Sequence, residues 1–131
     1  MTDQARSFDL AALDVLRARL SGDGDAYDAA AATLHEQPGR AAGRVAAWSL
    51  ARAADMLASQ ARRPVRLGAI GGPPTPPESQ MLSIITALSR GDLHTARRRA
   101  EFLVRPAGVD PLLERLSPAA KLLSPARRAA A

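Results

Sequence analysis

Apolar residues recur at intervals of three and four along most of this chain, and the breaks between such runs fall at Gly, Pro and Asp. Leu10, Leu13, Leu16 and Leu20 make the first stripe, with Asp9, Asp14, Arg17 and Arg19 on other faces, which predicts a helix from near Ser7 to about Leu20. A second helix is expected to open at Asp25, run through Ala26, Ala30 and Leu34, and stop before Gln37-Pro38-Gly39, since a residue preceding proline is steered out of helical geometry. The longest helical segment spans about Arg40 to Ala61. Ala41, Val45, Trp48 and Arg52 share one of its strips, and Ala46 or Ala47, Leu50, Ala54 and Leu57 share another, so it can be touched from two sides. It reads as the central helix of the first half, with Trp48 as a core anchor.

Between Arg62 and Pro77, Pro and Gly exclude regular structure and favour a stiff extended connector over a PxxP docking motif. The fourth helix has the strongest start signal in the chain. Thr75-Pro76-Pro77-Glu78 supplies a capping Thr, a Pro at the first helical position and a Glu placed to bond back to the cap amide. Met81, Leu82, Ile84, Ile85 and Leu88 follow as a broad apolar face. A fifth helix is expected from Asp92 to about Val104, with Leu93, Ala96, Ala100, Leu103 and Val104 on one side and His94, Arg98, Phe102 and Arg105 on the other. In the tail, Asp110-Pro111, Ser117-Pro118 and Ser124-Pro125 repeat a helix-start pair every seven residues. They are consistent with one-turn helices or one bent helix; a short helix from Pro111 to about Leu123 is favoured, followed by a frayed basic tail over residues 124–131.

Leu20-Ser21-Gly22-Asp23-Gly24-Asp25 and Leu88-Ser89-Arg90-Gly91-Asp92 read as two elbows of helical hairpins, in which Gly ends one helix and Asp caps the next. Each half then runs hairpin plus third helix. The expected fold is all-α, a single domain built as a small bundle of five to six antiparallel helices, with a first half over 7–61, a linker over 62–77 and a second half over 78–123. An internal duplication is one way to produce that order. Gly24-Asp25-Ala26-Tyr27-Asp28-Ala29 and Gly91-Asp92-Leu93-His94-Thr95-Ala96 resemble the Gly-Asp-x-x-x-Ala turn between the paired helices of tetratricopeptide repeats. That resemblance implies a helical hairpin and a role in binding other proteins, and assigns no residue roles.

Composition narrows the function classes. The 131 residues suffice for one domain with a modest core, and the four aromatics, Phe8, Tyr27, Trp48 and Phe102, with an apolar share dominated by Ala and Leu, suit packed helices better than a sheet. The absence of Cys removes disulfides and thiolate metal sites and agrees with a reducing cytoplasm. The polar start of the chain is not a signal peptide, and Arg44, Arg52 and Asp55 interrupt its longest apolar stretch, so neither secretion nor a membrane span is expected. A single Lys, Lys121, stands among 18 basic residues; with the Ala richness this has the composition of a GC-rich bacterial coding sequence. The basic excess lies in the second half, where an anionic partner would bind.

No catalytic arrangement is visible, and an enzyme is not expected. His35 and His94 lack a partner at ligand spacing, Asp23, Asp25 and Asp28 lack the Gly and Glu of a calcium loop, and Gly68-Ala69-Ile70-Gly71-Gly72 is not followed by the Lys of a phosphate loop. No metal or cofactor is therefore expected. Two surfaces are candidates. Phe102 projects away from its helix's apolar face beside His94, Arg98 and Arg105, so either the third or sixth helix covers it or it anchors a protein partner within an arginine rim. Arg90, Arg97, Arg98 and Arg99 are the alternative, a set for phosphate contacts in a nucleic-acid-binding regulator. The expected function is a non-catalytic cytoplasmic protein-interaction module with an acidic partner. An Ala-rich helical surface could also serve a homodimer.

Overall fold

The computed structural model describes the backbone of residues 3–35 and 40–130 and the side chains of residues 8–34 and 43–122. The expected break at Gln37-Pro38-Gly39, and the side chains of His35, Ala41, Arg127 and Arg128, lie outside the described residues. Six helices are described: α1 (Asp3–Ser21), α2 (Gly24–His35), α3 (Arg40–Gln60), α4 (Pro76–Ser89), α5 (Leu93–Leu103) and α6 (Pro106–Ala130). The fold is all-α; among the described residues the sole extended pairing is an isolated antiparallel bridge between Ala61 and Val104.

Helices α1 and α2 form a hairpin on which α3 packs, and α4 and α5 form a second hairpin on which α6 packs. The halves meet mainly where α3 lies against α6, with a smaller contact between α1 and α6. One continuous apolar cluster runs through both halves. Its fully buried large members are Phe8, Leu13, Leu16, Leu34, Leu50, Leu57, Met81, Ile84, Ile85, Leu112 and Leu116, and buried alanines on every helix fill the seams between them. Small side chains let helix backbones approach closely. Gly108 is the extreme case: a Cβ there would stand 2.9 Å from the Gln60 Cβ and 3.3 Å from the Val104 Cβ, so the start of α6 needs a glycine to sit against the end of α3.

The elbows share one construction. Gly22 and Gly91 both hold positive φ, at 75° and 76°. The amide after each donates to the carbonyl five residues back, Asp23 to Ala18 and Asp92 to Ala87, and each Asp carboxylate then caps the next helix, Asp23 accepting from Ala26 N–H and Asp92 from Thr95 N–H. The first elbow therefore turns at Gly22-Asp23, two residues before the Gly24-Asp25 frame, because Gly24 and Asp25 already belong to α2.

The capping box of α4 forms as its residues dictate. Thr75 N–H donates to Glu78 Oε1 at 2.8 Å, and Glu78 N–H reaches Thr75 Oγ1 at 3.5 Å. The connector is not free of the body, however. Arg17, expected to point away from the core, is only 2% exposed and meets Glu78, which is fully buried at 0%. Arg17 Nε donates to Glu78 Oε2 at 2.7 Å and Nη2 to Oε1 at 2.9 Å. The same guanidinium donates to Asp14 and to the carbonyls of Gly72 and Pro73, while Gly68 N–H donates to Glu78 Oε2 at 3.1 Å and Gly71 N–H to Asp14. Burial pushes the Glu78 carboxyl upward, but Arg17 and the Thr75 and Gly68 amides together hold it below the ordinary glutamate range.

Three further expectations are corrected. Trp48 is not a core anchor: α3 packs through the Ala46, Ala47, Leu50, Ala54 and Leu57 strip together with Ala51 and Ala53 beside it, and Trp48 stands 60% exposed with the Arg52 guanidinium 4.8 Å from its ring centroid. The tail is one helix from Pro106 to Ala130 rather than a short one from Pro111. Pro111 and Pro118, seven residues apart, stand half-buried on one side, the buried Val109, Leu112, Leu116, Ala119 and Ala120 hold the other, and Ser117 donates back to the Leu113 carbonyl instead of capping a new start. At the margins of their stripes Leu10, Leu20 and Leu93 are exposed, because neighbouring helices do not extend over them.

Candidate protein-docking surface

Asp92 sets the phase of α5. With its first turn capped, the helix buries Ala96, Ala100 and, just beyond its end, Val104 against α4 and α6. Hydrogen bonds from Thr95, through its side chain and its amide, hold the Asp92 carboxyl below the ordinary aspartate range. The opposite side, carrying His94, Arg98 and Phe102 one turn apart, faces outward. Phe102 is 74% exposed, more than any other large apolar side chain among the described residues. Neither α3 nor α6 covers it.

What approaches Phe102 is the start of the connector. Around the Ala61 to Val104 bridge, Arg62 N–H donates to the Leu103 carbonyl and Arg105 N–H to the Gln60 carbonyl, each at 2.9 Å. The pairing ends there, since Phe102 and Leu103 belong to α5, but it carries Arg62 and Arg63 past the end of that helix, and Arg62 Nε donates to the Glu101 carbonyl at 2.6 Å. Arg62, Arg63, Arg98, Glu101 and Phe102 together line a hollow of about 630 Å³. A second hollow of about 280 Å³ is lined by Gln80, Thr95, Arg98, Arg99 and Phe102. Arg99 Nη1 reaches Gln80 Oε1 there at 3.3 Å.

Of the residues expected to anchor a protein, Arg98 and Phe102 line these hollows. His94 lies one turn earlier on the same exposed stripe, and Arg105 is exposed beside the bridge without lining either hollow. The arginines considered for nucleic acid are distributed differently. Arg98 and Arg99 flank Phe102, Arg97 is engaged by Asp110 at 2.6 Å, and Arg90 closes α4 at the opposite end of α5. Arg62 and Arg63 were legible as basic linker residues but not as neighbours of Phe102, since a two-residue backbone pairing between distant segments leaves no periodic signal.

A smaller apolar patch, Val45 and Trp48 with Arg52 stacked on it, lies on the outer side of α3. Among the described residues no group of three His, Asp or Glu side chains is placed to hold a metal ion, and no helix is long and apolar enough to cross a membrane. Comparison with protein-family models, curated proteins and solved structures finds no match to this chain, so its function is read from the fold and from the chemistry of this surface.

Proposed function

We propose that this protein is a non-catalytic interaction module of the bacterial cytoplasm that docks an acidic protein partner on Phe102. The observation that carries the proposal is an aromatic side chain left 74% exposed inside a rim of Arg62, Arg63, Arg98 and Arg99. Aromatic and Arg side chains are the residues in which interface energy concentrates, and an apolar centre with a charged rim is the usual layout of such a surface. Burying Phe102 in a partner would contribute about 1.5–3 kcal/mol, and the guanidiniums would select carboxylates by paired hydrogen bonds.

The competing function is a nucleic-acid-binding regulator, with the same arginines on phosphates. The pairing of Arg97 with Asp110 and the position of Arg90 at the far end of α5 weigh against it. The two separate cleanly by experiment. Binding to a labelled random duplex and to a single strand is measured across a salt series, beside capture of partners from native lysate by wild type and Phe102→Ala. The proposal expects weak DNA binding and a captured protein that Phe102→Ala loses while its melting temperature is kept. DNA affinity falling by orders of magnitude with salt, and lost when Arg98 and Arg99 become Gln, would replace it with the regulator.

A further inference from the structure

Helical spacing places Phe102 and Arg98 at the centre of the exposed side of α5, with Glu101 on one flank and Thr95 and Arg99 on the other. The two hollows follow from that arrangement. Both are walled by Phe102 and Arg98; one extends toward Arg62 and Arg63 on the connector, the other toward Arg99 and, on α4, Gln80. Cationic groups therefore stand on both sides of a single apolar ridge. In neither hollow does an arginine form an ion pair among the described residues, in contrast to Arg17, Arg19 and Arg97, whose guanidiniums are taken up by Glu78, Asp55 and Asp110.

From this geometry we infer that the docking site recognises a peptide segment in two parts: an apolar side chain seated on Phe102, with acidic residues on both sides of it, one set held by Arg62 and Arg63 and the other by Arg99. Arg98 serves both. The inference rests on the acidic-partner function proposed above and adds the sequence pattern of the partner, acidic, apolar, acidic. Charge complementarity is what selects that occupant. A second copy of this chain would bring a basic second half against these arginines, and an uncharged apolar segment would leave them desolvated without partners.

Four capped, labelled peptides test it by fluorescence anisotropy at low salt: Glu-Glu-Leu-Glu-Glu, Glu-Glu-Leu-Gln-Gln, Gln-Gln-Leu-Glu-Glu and Gln-Gln-Leu-Gln-Gln, with oligo(dT) of matched charge alongside. The doubly acidic peptide should bind best, and each one-sided peptide about tenfold more weakly, as for loss of one set of charged hydrogen bonds. The decisive readout is a crossover. In Arg63→Gln one of the one-sided peptides should equal the doubly acidic one, and in Arg99→Gln it should be the other. Equal affinity of one-sided and two-sided peptides, or the same change in both variants, overturns the two-part pattern while leaving the acidic-partner function in place. No acidic peptide binding at millimolar concentration, undiminished binding by Phe102→Ala, or oligo(dT) binding more tightly than every peptide overturns that function itself.

Discussion

Replacing Arg17 by Met should cost far more than a charge change on a helix surface, and the amount follows from its surroundings. Arg17 is 2% exposed, and its two donors to Glu78 lie at 2.7 and 2.9 Å. Removing the guanidinium strands a fully buried carboxylate and also releases Asp14 and the carbonyls of Gly72 and Pro73. Breaking one side of a buried pair costs roughly 3–5 kcal/mol. A domain of this size has about 5–15 kcal/mol of stability in total, so Arg17→Met should lower the melting temperature on the order of 10–20 °C. Urea unfolding at constant slope gives the free energy directly. The pH dependence supplies a sharper test. Because the folded Glu78 carboxyl lies below its ordinary value of 4.5, the stability it contributes is complete above that value and is lost as pH falls through the folded one. The gap between wild type and Arg17→Met should therefore be full at pH 7 and narrow in acid. A gap under about 1 kcal/mol at pH 7, or one that does not change with pH, would refute the assignment of the pair as a structural clasp.

Other substitutions separate positions that look alike in the sequence. Trp48→Ala should change stability by less than about 0.5 kcal/mol by urea unfolding, whereas Leu50→Ala, two residues on and fully buried, should cost about 2–5 kcal/mol. Gly91→Ala should destabilise by about 1 kcal/mol through its positive φ, although nothing stands within 4 Å of the added Cβ. Gly24→Ala, equally open but at an ordinary φ within α2, should be neutral or stabilise by up to about 1 kcal/mol. Gly108→Ala should lower the melting temperature and expose the α3 to α6 seam, read as faster amide exchange there, because its Cβ would press on Gln60.

Helix count, the two hairpins and the α4 capping box were legible because each is written locally, in spacing, in a turn residue or in a four-residue box. The misread positions share a different property. Arg17 looks like any charged residue between leucines, since its partner is 61 residues away. Trp48 lies on one of two comparable strips of α3, and nothing in that helix says which strip meets α1, α2 and α6. Pro111 and Pro118 look like stops because propensity is counted per residue, whereas the apolar stripe of α6 stabilises the helix through packing on α3 and α4. For the surface, the outward face of α5 was readable down to Arg98 and Phe102, but whether a neighbour covered it was not. Arg62 and Arg63 reach Phe102 only through the Ala61 to Val104 bridge.

The connector is fixed at two separate places, and that has a consequence for the docking surface. Its beginning is tied to α5 by the bridge and by Arg62 on the Glu101 carbonyl; its end is tied to α1 and α4 by Arg17, Asp14 and Glu78. Between them Val65 packs half-buried against the core and the Arg66 carbonyl accepts from Thr75, but among the described residues no hydrogen bond links Arg62 or Arg63 to the pair of Arg17 and Glu78. Distant sites without shared partners act additively. Glu78→Gln should therefore lower stability while leaving the affinity of the doubly acidic peptide for the folded protein unchanged, since Arg62 and Arg63 are still presented by the bridge. Val104→Pro should act at the other tie: it pulls a residue with φ −126° toward the proline value at the bridge and removes the N–H that Val104 donates to Ala100, so it should cost stability and also weaken peptide binding beyond what that loss explains at a temperature where both proteins are folded. If Glu78→Gln instead weakened binding as much as Arg63→Gln, the two ties would have to act as one rigid unit, and the connector would transmit the state of the buried pair to the arginine rim.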